Sequence, residues 1–171
     1  MFHIELENLL NNQITKELFA AHQYRAIGGY LRNETIALDN IGNYFLKQSI
    51  EETEHSQKII DYLLERGGSL KLQKIHEPVN DFTRENIHRD IIHIFEKSLE
   101  LETDIDASLK NICKKAEENN DYCLHDFITN QFLHEQVKAN HELTKYITKL
   151  RLILTDASPN MGLLMFDKLF I

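Results

Sequence analysis

The sequence predicts an all-α fold: a four-helix bundle of up-down-down-up topology with one long crossover and a short fifth helix at the C-terminal end. Three observations predict it. Apolar residues recur at steps of three and four through four long segments. Only two prolines occur, Pro78 and Pro159, so helix-breaking positions are few. The segments are joined by a short, a long and a short connection.

Helix A runs from about Glu7 to Leu31, with Leu10, Ile14, Ala21, Tyr24 and Gly28 along one stripe. Helix B runs from about Ile36 to Arg66 and carries Ile41, Phe45, Ser49, Ile59 and Leu63. Arg32 to Thr35 between them is too short for anything but an antiparallel turn. A helix of about 28 residues is roughly 42 Å long, and the stretch from Gly67 to Asp81 can extend over roughly 50 Å. That stretch can therefore run the length of the bundle and start the next helix at the far end. Helix C, about Thr83 to Ala116, carries Ile87, Ile91, Phe95, Ile105, Leu109 and Ile112. After a second short turn, Glu117 to Asn120, helix D runs from about Asp121 to Leu150 with Ile128, Phe132, Ala139, Leu143 and Ile147. Beyond Pro159 an apolar tail, Gly162-Leu163-Leu164-Met165-Phe166, forms helix E at about residues 160–169. With 171 residues and 20.1 kDa, the whole reads as a single domain, residues 1–171, with the bundle at about 7–150.

Composition narrows the function classes. Lys+Arg is 19 and Asp+Glu is 27, for a net charge of -8, which argues against a nucleic-acid coat or a membrane-surface protein. The sequence has no apolar run long enough for a transmembrane helix and no basic segment followed by an apolar one at its N-terminus. Cys113 and Cys123 form no C-x-x-C pair and read as plain thiols, so a cytoplasmic location is expected.

The informative residues are acids inside the apolar stripes. An ideal helix turns about 100° per residue, so steps of three, four and seven keep one face. Glu17 lies three after Ile14, four before Ala21 and seven before Tyr24, and so faces the core from helix A. Glu102 lies seven after Phe95, three before Ile105 and seven before Leu109 on helix C. On helix B, Glu52 lies seven after Phe45 and seven before Ile59, with His55 three further along the same face. Gln136 on helix D lies four after Phe132 and seven before Leu143. Tyr24 is inward, one turn above Glu17, either as ordinary core or as a hydrogen-bond partner for a metal ligand.

Burying an ionised carboxylate costs several kcal/mol unless it is paired, and no Lys or Arg falls on the inward stripes nearby. Metal ions supply the missing charge. Carboxylate oxygens with one imidazole suit iron or manganese better than a thiolate-seeking metal. Two-metal bundles take one Glu from each of two helices and Glu-x-x-His from each of the other two. Here Glu17 and Glu102 supply the singles and Glu52-Thr53-Glu54-His55 supplies one pair. Helix D departs, because Glu135-Gln136-Val137-Lys138 puts Lys where the second His would stand. One metal position would then be well held and the other poorly. Each sign is weak alone: Glu51-Glu52 reads more often as a solvated acidic face, and a single inward Glu as an error of phase. Four stations on four helices at matching depth are hard to obtain by chance. His22, His134 and His141 fall off the stripes and read as surface or interface residues.

These residues resemble a ferritin. The stretch Asn12-Gln13-Ile14-Thr15-Lys16-Glu17-Leu18-Phe19-Ala20 is similar to the start of the ferritin A helix. Tyr44-Phe45-Leu46-Lys47-Gln48-Ser49-Ile50-Glu51-Glu52-Thr53-Glu54-His55 resembles the B-helix signature. Asp126-Phe127-Ile128 with Phe132-Leu133-His134-Glu135-Gln136-Val137-Lys138 resembles the D-helix signature, and Phe166-Asp167-Lys168 the short fifth helix. The resemblance covers nearly the whole chain. It implies a non-haem, heavy-chain-like or bacterial-type ferritin with a ferroxidase centre. Such a protein stores iron in a hollow shell of twenty-four subunits, oxidising Fe(II) with O2 or peroxide and depositing ferric mineral.

By that resemblance Glu17, Glu52 and His55 would hold the first iron. Glu52 would bridge to a second, held by Glu102 with help from Glu51, and Gln136 and Tyr24 would be close hydrogen-bonding neighbours. Thr53 stands where bacterioferritins place a haem-ligating Met, so haem is not expected. Lys138 and Ala139 stand where some bacterial members place the extra acids of a third iron site, although Glu51 and Glu135 could supply part of one. Asp126 matches one acid of the animal three-fold pore, while Thr129 replaces the other. Two rival readings remain: a soluble di-iron oxidase or peroxidase without mineral storage, and a non-catalytic helical shell subunit without metal. A DNA-protecting mini-shell would want a basic N-terminal arm, which the sequence lacks.

Overall fold

A computed structural model describes residues 2–83, 85–155 and 158–171. Its helices are α1 (Ile4–Leu31), α2 (Asp39–Glu65), α3 (Ile87–Glu118), α4 (Tyr122–Ile128), α5 (His134–Leu154) and α6 (Pro159–Asp167). A π-helical turn, Thr129–Leu133, joins α4 to α5 as one rod, and a 3₁₀ turn, Lys168–Phe170, follows α6. Among the described residues there is no strand.

Cross-contacts fix the directions. The crossover between α2 and α3 lies along α1, held largely through its backbone. Ser69 and Lys71 bond to Asn11 near the start of α1, at 3.0 and 2.6 Å, and Val79 makes two bonds to Gln23 further along it, at 3.0 and 2.8 Å. Helix α3 therefore starts where α1 ends, with Tyr30 donating to Asp90 at 2.6 Å, and it finishes beside the start of α1, where Lys115 meets Glu5 at 3.4 Å. The order is up-down-down-up, as the connection lengths predict.

Helix ends depart from the predicted bounds for local reasons. Helix α1 begins a turn early because Phe2 and Leu6 are buried. Helix α2 starts at Asp39 rather than Ile36, because Ala37 takes φ 54° in the turn. Helix α3 starts at Ile87 because the Asn86 side chain accepts from Arg89 N at 3.1 Å, as an N-cap does. Helix α2 ends at Glu65, two residues before Gly67, whose φ of 75° suits glycine, with Gly68 N returning to Leu63 O at 2.9 Å. Pro159 opens α6 instead of lying in irregular chain before it, because its missing N–H costs nothing at a first helical position.

The predicted stripes are buried with two exceptions. Ile87 and Ala139 are half-buried. Leu124, Ile128, Phe132 and Gln136 are spaced by four and all buried. Three such steps would drift by about 120° on a helix of 3.6 residues per turn. The wider π turn absorbs that drift and keeps the row inward. At one end of the bundle Phe95 and Tyr146 pack against Phe166 and Phe170. Beside them Asp167 accepts from Ile41 N at 2.9 Å and Asn40 Nδ2 at 2.8 Å, capping the free start of α2 from α6. Asp167→Ala is expected to cost about 1 kcal/mol, as loss of a cap does, read as a lower urea midpoint.

Candidate metal centre

Mid-bundle, α1 brings Glu17, α2 brings Glu52 and His55, and α3 brings Glu102 into the interior. Glu17, Glu52 and Glu102 are 1%, 6% and 4% exposed. Ligand atoms of Glu17, Glu52 and His55 all lie within 4.8 Å of one another, and His55 Nδ1 is 3.2 Å from Glu52 Oε2. Among the described residues, Glu17 and Glu102 pair with no Lys or Arg, and Glu52 pairs only with His55. One oxygen, Glu17 Oε2, is buried with no hydrogen-bond partner.

The other sequence candidates fall around this group. Tyr24 donates to Glu102 Oε1, and Gln136 Nε2 donates to Glu102 Oε2 at 2.9 Å and to its carbonyl at 3.3 Å. Tyr24 is thus both core and polar partner, joining the alternatives that the sequence left open. Glu51 is exposed and does not join the Glu17 group. It groups with His55 and Glu135 at the mouth of a cleft of about 300 Å³ that opens from the cluster between α2, α3 and α5. His22, His134 and His141 are exposed, and Cys113 and Cys123 are free thiols.

Two contacts escaped the sequence reading. Gln13, fully buried, donates from Nε2 to Glu17 Oε1 at 2.7 Å, leaving Oε2 as the oxygen that faces the cluster. Its place four residues before Glu17 was the available signal. Glu135 reaches His55 Nε2 at 3.0 Å. No sequence signal pointed to that bond, because it depends on the phase set by the π turn.

The electrostatics follow from burial. Burial pushes the Glu17 carboxyl well above the ordinary carboxylate range, and the Glu52 charge adds to it. Burial and then the Glu102 charge push Glu52 up to about 8. Glu102 is also raised by burial, with Tyr24 and Gln136 pulling it back by hydrogen bonding to the charged form. Burial, followed by the Glu102 and Glu52 charges, raises the Tyr24 hydroxyl well above its ordinary value. Without cations, burial favours the protonated form of each of these acids. A hard cation can displace the protons, and the donor set, carboxylate oxygens with one imidazole nitrogen, suits iron or manganese.

The sequence matches the family described as Ferritin, Ferritin-like domain, over residues 7–153. The chain belongs to the ferritin family. It is 34% identical over 167 residues to "Soma ferritin" of Lymnaea stagnalis, covering 98% of this chain and 91% of that one. It is 36% identical over 148 residues to "Ferritin-4, chloroplastic" of Arabidopsis thaliana and 35% identical over 147 residues to "Ferritin-3, chloroplastic" of Glycine max, each covering 86% of this chain. These matches span 56% and 57% of the two plant ferritins. Ferritins bind and store iron and generally assemble into multi-subunit shells, so the acidic cluster of this ferritin is a candidate iron site. Among its described residues, no helix is long and apolar enough to cross a membrane.

Proposed function

We propose that this ferritin is a ferroxidase that oxidises Fe(II) at the Glu17–Glu52–His55–Glu102 cluster and stores the ferric product as mineral inside a shell of twenty-four subunits. The observation that carries the reading is the close, buried grouping of Glu17, Glu52 and His55 with one carboxylate oxygen left without a partner. Fe(II) enters as substrate. Glu17, His55 and one oxygen of Glu52 hold the first ion, and Glu52 bridges toward a second held by Glu102. Gln136 and Tyr24 orient Glu102 by hydrogen bonds. Glu51 assists at the cleft side.

Each Fe(II) gives up one electron. One O2 takes the two electrons and two protons and leaves as hydrogen peroxide, or one peroxide takes two electrons and two protons to give water. Hard oxygen ligands favour the ferric state and so drive the step. The second position lacks a histidine of its own, since Lys138 stands three after Glu135 where Glu-x-x-His would place it, so ferric ion is released rather than retained. The acidic cleft lined by Glu51, Glu135 and Glu142 offers it a way out. The free thiols support a reducing compartment such as the cytoplasm.

The test is native mass together with iron content after aerobic loading of the full chain with Fe(II). A shell-sized particle holding many irons per subunit is expected. A small oligomer keeping about two irons per subunit would instead indicate a di-iron oxidase without storage. A shell that leaves Fe(II) unoxidised would indicate a non-catalytic subunit.

A further inference from the structure

We infer that Glu135 is a positioning residue for the first iron. By accepting a hydrogen bond from His55 Nε2, it fixes the tautomer and ring direction that turn Nδ1 toward Glu52. The inference rests on the proposed iron site and adds a part to it. An imidazole that binds a metal through Nδ1 must carry its proton on Nε2. A carboxylate accepting that proton's hydrogen bond holds the ring in place and makes the ligand more basic.

Both halves of this arrangement are present. His55 Nδ1 lies 3.2 Å from Glu52 Oε2 and Nε2 lies 3.0 Å from Glu135 Oε2, so the ring is held between two carboxylates. A second contact fixes the plane of the ring. Phe132, itself buried, meets it edge-on with centroids 5.5 Å apart. Phe132 and Glu135 are three apart in sequence, one inside the π turn and the other just beyond it. The distortion of helix geometry thus delivers an apolar wall and a polar acceptor to the same imidazole. Glu135 is itself about half exposed, at 48%, so its removal leaves no hole in the core.

The experiment uses the assembled, metal-free full chain, titrated anaerobically with Co(II) alone and followed by the visible absorption of the bound ion. The parent, Glu135→Ala, Glu135→Gln and Glu52→Ala are compared. Glu135→Ala is expected to weaken the tightest Co(II) site by about 10–100-fold and to change its absorption band, the size of effect typical of such outer partners. Glu135→Gln, whose amide oxygen still accepts from Nε2–H, is expected to stay within about threefold of the parent and keep its band. A merely structural role would not give rescue by the amide.

Parent affinity and spectrum in Glu135→Ala would overturn the inference. So would loss of one whole Co(II) equivalent with the tightest site unchanged, since Glu135 would then be a ligand of a separate ion with Glu51. Parent-like binding in Glu52→Ala would overturn the iron site itself, and the inference with it. Weakened binding in Glu52→Ala with no effect in Glu135→Ala would remove the inference alone.

Discussion

Glu52→Ala is expected to oxidise Fe(II) at least 100-fold more slowly than the parent under air, with the shell intact. The size follows from its place. Glu52 lies within 4.8 Å of ligand atoms of Glu17 and His55 and also feels the Glu102 charge, so it couples the two halves of the cluster. Loss of a partner that only orients a ligand already costs about 10–100-fold in metal affinity or activity, and loss of a shared ligand removes more. The measurement is the initial rate of ferric absorbance under air, with native mass recorded on the same sample. Glu54→Ala, two residues beyond Glu52 and so on the opposite, exposed face of α2, serves as the control that should oxidise at the parent rate. A Glu52→Ala shell that oxidises as fast as the parent would move the chemistry elsewhere in the molecule.

The second large effect is on stability in the absence of metal. The folded pKa of Glu52 is pushed up to about 8, above the 4.5 of a free carboxyl, and Glu17 and Glu102 shift in the same direction. Between pH 4.5 and about 8 the folded state therefore binds more protons than the unfolded chain. By linkage, stability falls as pH rises through that window. The loss is shared across the cluster and amounts to several kcal/mol per subunit.

Urea midpoints of the chelator-treated protein should decrease from pH 5 to 8.5. Glu52→Gln, which keeps the shape and removes the charge, should be more stable than the parent at pH 8.5 and nearly equal to it at pH 5. Added Mn(II) should stabilise the parent and do far less for Glu52→Gln. A parent midpoint that is flat or rising over this range, with Glu52→Gln tracking it, would mean that the cluster is not under electrostatic load.

The fold was legible because three long helices keep their period, the fourth is brought back into phase by its π turn, and the connections alternate short, long, short. Glu17, Glu52, His55 and Glu102 were legible for the same reason. An acid three, four or seven residues from Ile14, Phe45 or Phe95 can only face where they face. Gln136 was legible although its helix is irregular, because steps of four across the π turn happen to stay inward. Tyr24 could be placed in the core by its step of seven from Glu17, but its bond to Glu102 needed the third helix to be positioned. Gln13 and Glu135 were missed as partners because each acts on another side chain, and spacing along one helix does not say which neighbour a polar tip will find. Asp167 was missed as a cap for the same reason: donor and acceptor are separated by more than 120 residues of chain.

The π turn at Thr129–Leu133 makes the length of that rod a constrained quantity. Ordinary winding over the same residues would swing everything downstream about a quarter of the way round the axis, carrying Gln136 and Glu135 off their partners together. A lineage can lengthen or trim the strap over α1 by a residue and keep its chemistry. At Thr129–Leu133 it can drop the extra residue only together with the π turn, and elsewhere along the rod it cannot change the count.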